Sequence, residues 1–211
     1  MARRTPLHAR APSRETHRAD GADGNARLTS SVAALLFLFL FIEGVTILQI
    51  GGLIGTHVFV GVVLIPPLLV KIATTSWRFA RYYRGAPAYV RKGPPAPLLR
   101  LLGPLIIVLS IAVMASGVLL VVGAPTSLRA QLLQIHQATF LLWFAVTAVH
   151  VLGHLAETLT LAPRDWVRAT RREVRGASWR QWTLVASVAL GLVLALWITP
   201  YAAGWRTLLG H

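Results

Sequence analysis

The sequence contains no cysteine. Disulfides, thiolate-held iron–sulfur clusters and CxxCH attachment of a c-type haem are therefore excluded. Any metal or haem must be held by His, carboxylate, Met or Lys. Acids are scarce as well: seven Asp and Glu face 21 Lys and Arg in 211 residues. Charged residues make up only 13% of the chain, and hydrophobic residues make up 55%. That composition is odd for a soluble domain and natural for a chain with several apolar spans of about 20 residues. There is no strand-like alternation bounded by turn signals, which argues against a β-barrel. No internal repeat is detectable.

What is present is five apolar stretches, at about 32–50, 55–74, 98–122, 131–155 and 182–200. The net charge of +14 would suit nucleic acid, but its distribution argues otherwise. Six cations fall in the tail Arg3–Arg27, seven between Lys71 and Arg100, and six between Arg164 and Arg180. Only Arg129 and Arg206 remain for the other connections. This alternation follows the positive-inside rule. It predicts a cytoplasmic N-terminus, five crossings of a bacterial-type cytoplasmic membrane and an external C-terminus. No basic-aromatic surface is left over for nucleic acid, and anionic headgroups are the expected partners of the basic segments.

The organisation follows. Residues 1–28 read as a disordered, basic cytoplasmic tail. Its Arg3-Arg4 pair lies some 25 residues ahead of an apolar run too long for a signal-peptide core, so a plain positive-inside tail is the better reading. Residues 29–156 form a four-helix membrane core with a cytoplasmic loop at 75–97. Trp77, Tyr82, Tyr83 and Tyr89 are its expected interfacial anchors. Residues 157–181 read as a basic cytoplasmic connection with an amphipathic, surface-lying helix. Residues 182–211 hold the fifth span and a short external C-terminus. Gly51, Gly52 and Gly55 should make the first outer turn, and Pro66-Pro67 should kink the second span. Ser110, Ser116 and Gly117 are small residues suited to close packing in the third span.

The fourth stretch carries the chemistry. It holds His136, His150 and His154 in an apolar run, and ionisable groups inside a membrane are functional by default. His136 and His150 are fourteen residues apart, so they share a helix face about 21 Å apart along the axis. His154 follows one turn later. The second and fourth spans run in the same direction. His57 and His136 each enter a few residues from the outer side, and should lie at equal depth. Two imidazoles on parallel helices at one depth is an arrangement that holds a b-type haem. Arg129 is the nearest outer cation for a haem propionate. His150 is a candidate for a second haem or a quinone headgroup, and His154 a weaker one. A second haem would need another axial ligand at the inner depth, where Lys71 would be an unusual one. Glu43 reads either as a hydrogen-bonding carboxyl or as a proton-handling or quinone-contacting group.

With His57, His136 and His150 in these places, residues 30–156 resemble the bacterial membrane-bound cytochrome b subunits of formate dehydrogenase and nickel–iron hydrogenase. The resemblance implies a four-helix haem-binding core. It also implies electron exchange between the quinone pool and an attached dehydrogenase, as a subunit of an oxidoreductase complex. In that family the fourth-helix pair ligates two stacked haems, with partners on the first and second helices. Here the first span has no His, so the inner haem lacks its usual partner and the outer one, between His57 and His136, keeps both. An extracytoplasmic redox partner of the molybdopterin-containing kind is a further implication of the resemblance. The expected fold class is therefore an all-α integral membrane protein, a four-helix haem-binding bundle plus a fifth transmembrane helix. The runner-up is a non-haem small transporter or structural membrane subunit, its histidines serving as hydrogen-bond or proton-relay groups. A metal-dependent enzyme using His136, His150 and His154 together is opposed by the 21 Å gap between the first two.

Overall fold

The computed structural model describes residues 14–94, 96–123, 125–203 and 205, with 14–20 described as helical backbone alone. Arg3-Arg4 and residues 206–211 lie outside the described residues. There is no strand among the described residues, and five helices are long and apolar enough to cross a membrane. The expected all-α, five-span architecture holds at that level.

α1 (Arg14–Leu48) and α2 (Ile50–Tyr83) form an antiparallel hairpin turning at the single residue Gln49. Asn25 Nδ2 donates to Thr74 O at 3.1 Å and Lys71 Nζ to Thr29 O at 3.1 Å, while Thr46 meets His57 near the turn. The expected outer turn at Gly51, Gly52 and Gly55 is thus displaced. The amides of Gly52 and Leu53 both bond to Gln49 O. Helical bonding restarts at once and keeps all three glycines inside α2.

After α2 comes the short α3 (Pro87–Lys92), then α4 (Pro97–Val122) and α5 (Arg129–Leu161). Both α3 and α4 begin with Pro at the first helical position, where a missing N–H costs nothing. The expected loop at 75–97 shrinks, because α2 continues to Tyr83. Tyr89 is buried and its hydroxyl accepts from Trp77 Nε1 at 3.2 Å, so it is not an exposed anchor; Trp77 and Tyr83 are exposed. α4 and α5 also run antiparallel, tied by Trp143 Nε1 donating to Ser110 Oγ at 2.8 Å.

The last span, α7 (Ala177–Ile198), lies along α2. It is no appendage to a four-helix core: Ala195 is fully buried with Val62 and Val63. A Cβ added at Gly191 would stand 2.5 Å from Val63 O. Pro67 explains why that carbonyl is available. Four residues on from Val63, it has no N–H to donate back, so the Val63 carbonyl is left without its helical partner. A neighbouring backbone can then approach it closely, and only glycine permits that distance. α2 remains helical through both Pro66 and Pro67.

Among the described residues, the three basic segments meet at one end of the bundle. Their centre is Asp165, 2% exposed. Arg180 grips both of its oxygens, with Nη2 to Oδ1 at 2.7 Å, and Arg27 Nη1 adds a third contact at 3.3 Å. Arg27 Nη2 continues to Glu173 at 2.6 Å, and Lys92 pairs with Asp23 at 2.7 Å. Two expectations are corrected here. Residues 14–28 are not a disordered tail: they are the first turns of α1, with Ala22, Ala26 and Arg27 buried. Small residues and a paired cation give that segment something to pack. The amphipathic helix in 157–181 is absent too. α5 runs on to Leu161, α6 covers only Arg168–Arg171, and Gly176 at φ 84° breaks the chain before α7. The buried ion pairs of Asp165 draw the segment inward instead of letting it lie flat.

Candidate functional site

The site is built where the α1–α2 hairpin faces the α4–α5 pair, at the end opposite the basic cluster. His57 is on α2 and His136 on α5, and their ring centroids are 6.5 Å apart with planes crossing at 83°. The expected equal depth is therefore met. Two helices that start at the same end and rise about 1.5 Å per residue carry residues of similar offset to one level.

Each ring is held by a hydroxyl from the neighbouring helix. Thr46 Oγ1 donates to its own helix at Glu43 O, 2.7 Å away, and lies 3.1 Å from His57 Nδ1. The same hydroxyl lies 3.2 Å from Glu43 Oε2, and it accepts from His57 when that ring carries its proton on Nδ1. Glu43 Oε1 is a second acceptor, 3.3 Å from the same Nδ1. On the other side, Ser116 Oγ donates to Ala112 O at 2.7 Å and lies 3.0 Å from His136 Nδ1. It too is left to accept. With the proton on Nδ1, each imidazole keeps a lone pair on Nε2, the tautomer that suits a metal ligand. Among the described residues neither Nε2 has a hydrogen-bond partner.

Both rings line a cavity of about 270 Å³ walled by Leu40, Val113, Met114 and Phe140, with Trp143 at its side. Glycines make room at two points. A Cβ on Gly117 would meet His136 Cε1 at 3.1 Å, and one on Gly61 would meet Glu43 Oε1 at 3.0 Å. Ser116 and Gly117, expected as packing residues, thus serve His136 directly. Thr46 was missed altogether. Its only signal was a position eleven residues before His57 across a turn, where a hydroxyl could reach the ring.

The donor set suits a metal bound between the two rings. The rings meet in a T-shaped arrangement with centroids 6.5 Å apart, and imidazole–metal bonds of about 2.0–2.1 Å would require both Nε2 atoms to turn toward one ion. The free volume is near the lower limit of the ~300–1,000 Å³ usual for ligand sites. A whole haem requires the apolar side chains of the wall to turn aside.

The other predicted residues fall elsewhere. Arg129 is not on the cavity wall; its guanidinium stands 5.4 Å from the ring of Trp205, which does line the cavity. Its Nε is buried with no partner. His150 and His154 stack on one another at 4.7 Å, far along α5 from His136. His154 Nδ1 lies 3.4 Å from Glu157 Oε2 on its own helix, while His150 Nδ1 is buried without a partner. Lys71, the inner ligand candidate, is occupied with Thr29 O. Among the described residues no group of three or more His, Asp or Glu is placed to hold a metal ion. The chain matches no protein-family model, no curated protein and no solved structure.

Proposed function

We propose that the chain is a membrane b-type cytochrome. It carries electrons between the quinone pool and an extracytoplasmic redox partner as a subunit of an oxidoreductase complex. One observation carries the reading. Two histidines from different helices face each other at 6.5 Å, each with Nδ1 tethered and Nε2 free. The quinone and partner rest on the resemblance of residues 30–156 to cytochrome b subunits of bacterial dehydrogenases and hydrogenases.

His57 and His136 are the residues that would hold haem b. A bound haem supplies one-electron redox chemistry whose potential follows ligand basicity, burial and hydrogen bonding. The chain's own residues set those three. Thr46 and Ser116 fix the tautomer and orientation of the rings. Glu43 places a carboxyl oxygen 3.3 Å from His57 Nδ1, a second group that orients that imidazole. Leu40, Met114 and Phe140 exclude water. Arg129, near the mouth, is the cation available to a propionate. In this reading the basic end faces the cytoplasm and the site lies toward the opposite face.

Reduced-minus-oxidised spectra of the purified chain test the reading. We expect sharp α and Soret bands that vanish in both His57→Ala and His136→Ala. A protein that stays colourless when expressed with excess haem overturns it. A second reading draws on the connected Glu43–Thr46–His57 chain, which suits proton relay without haem in a small transporter or structural subunit. His136→Gln separates the two: glutamine keeps the hydrogen bond but is a poor haem ligand.

A further inference from the structure

The connection between α5 and α7 encloses a hollow of about 890 Å³ at the basic end. Arg168, Arg171, Arg172 and Arg175 line it, together with Gly176 and Ser178 at the start of α7. Among the described residues, none of these four guanidiniums has an ion-pair or hydrogen-bond partner. Among the described residues, the nearby acids are already committed. Asp165 is taken by Arg180 and Arg27, and Glu173 by Arg27 and, at 3.9 Å, Arg164. Four like charges around one concavity repel unless an anion joins them.

The backbone that carries them is held in place from beneath. Arg180 Nη1 donates to Arg175 O at 2.7 Å and Nη2 to Val174 O at 3.3 Å, and Arg27 Nη1 donates to Thr170 O at 2.9 Å. Two buried arginines thus pin the carbonyls of a strongly basic segment. A merely solvated loop needs no such support, whereas an anion site gains from having its donors fixed beforehand. The level of the hollow is marked by Trp166, Trp179 and Trp182, all exposed, with Trp179 at 77%. Exposed tryptophans at the ends of apolar helices belong to the headgroup layer.

We propose that this hollow binds the phosphate-bearing headgroup of an anionic phospholipid and prefers one with two phosphodiesters. Guanidinium forks pair bidentately with phosphate oxygens, and four of them spread around one hollow can engage two phosphates from different sides. The site stands whether or not a haem binds between His57 and His136.

The test uses the full chain in phosphatidylcholine nanodiscs with small amounts of phosphatidylglycerol or diphosphatidylglycerol, and native mass spectrometry of the retained lipid. We expect retention of diphosphatidylglycerol above phosphatidylglycerol, and of both above phosphatidylcholine. A worth of about fivefold per cation near the surface predicts a loss on the order of 100-fold in R168Q/R171Q/R175Q. The control R81Q/R84Q/R91Q, in the other basic segment, removes the same amount of surface charge and is the baseline that the first triple variant should exceed. Equal losses in the two triple variants overturn the proposal, because they mean unlocalised surface charge. So does displacement of the lipid by inorganic phosphate at equal concentration, which marks a site for free anion. Should the first triple variant fail to fold, the lipid preference and the phosphate competition on the unaltered chain decide the matter alone.

Discussion

Two pairs of histidines lie on or against α5, and they are treated in opposite ways. His57 and His136 come from different helices, and each has its Nδ1 engaged by a hydroxyl from a third and a fourth. His150 and His154 come from the same helix, one turn apart. Of these, one leans on Glu157 of its own helix and the other has no partner for Nδ1. In sequence all three α5 histidines lie on one stripe and look alike. The difference is supplied entirely by neighbouring helices. A ligand gains from a fixed tautomer and a fixed ring plane, and a hydrogen bond to the second ring nitrogen helps to provide both.

The sharpest way to break the comparison is to remove the rings. His57→Ala or His136→Ala should abolish haem absorbance, while His150→Ala or His154→Ala should leave most of it. Equal loss from both pairs would end the distinction. Next in size is Asp165→Ala, which strands Arg180 and Arg27 at the basic end. Breaking a buried pair of this kind costs about 3–5 kcal/mol. We expect a large fall in thermal stability with the spectrum of surviving protein unchanged. If absorbance falls in proportion, the two ends are not independent. Thr46→Val and Ser116→Ala probe the tethers themselves. Loss of such a supporting hydrogen bond lowers metal affinity by about 10–100-fold, which haem titration would read. Gly117→Ala pushes on His136 and should cost about 1–3 kcal/mol by overpacking, again measured by thermal unfolding. The smallest effect belongs to Glu157→Gln. Its partly exposed pair with His154 is worth under about 1 kcal/mol, and neither stability nor absorbance should change much.

How much of this was legible in the sequence depended on the kind of contact. The meeting of His57 and His136 followed from rise per residue and from the direction of two spans, because helix geometry is regular. Five spans and one basic end followed from charge and hydropathy for the same reason. Thr46 and Ser116 did not follow. A hydroxyl in an apolar helix usually bonds its own backbone, as both do here, and its spare lone pair leaves no trace in spacing. Asp165 was also hidden. One acid among many arginines reads as a surface residue until the chain folds over it. The turn at Gln49 was placed at the glycines because composition marks where a chain can bend, not where helical hydrogen bonds let go. Residues 14–28 read as disordered because their packing partners, Asp165 and Glu173, lie more than 130 positions away.

The contact of Gly191 with the Val63 carbonyl has a bearing on how the molecule is made. The α1–α2 hairpin leaves the ribosome before α7, yet its buried Val62–Val63 strip is covered by that later helix. Until α7 arrives, that strip and the carbonyl freed by Pro67 face lipid or whatever chain is nearby. Covering this flank therefore waits for α7, through contacts that join positions more than 120 residues apart, the long-range kind that form slowly. A chain cut short before α7 would carry His57, His136 and both their tethers and still present an unfinished flank. It would be exposed to degradation or to pairing with the wrong helix for as long as that flank stays open.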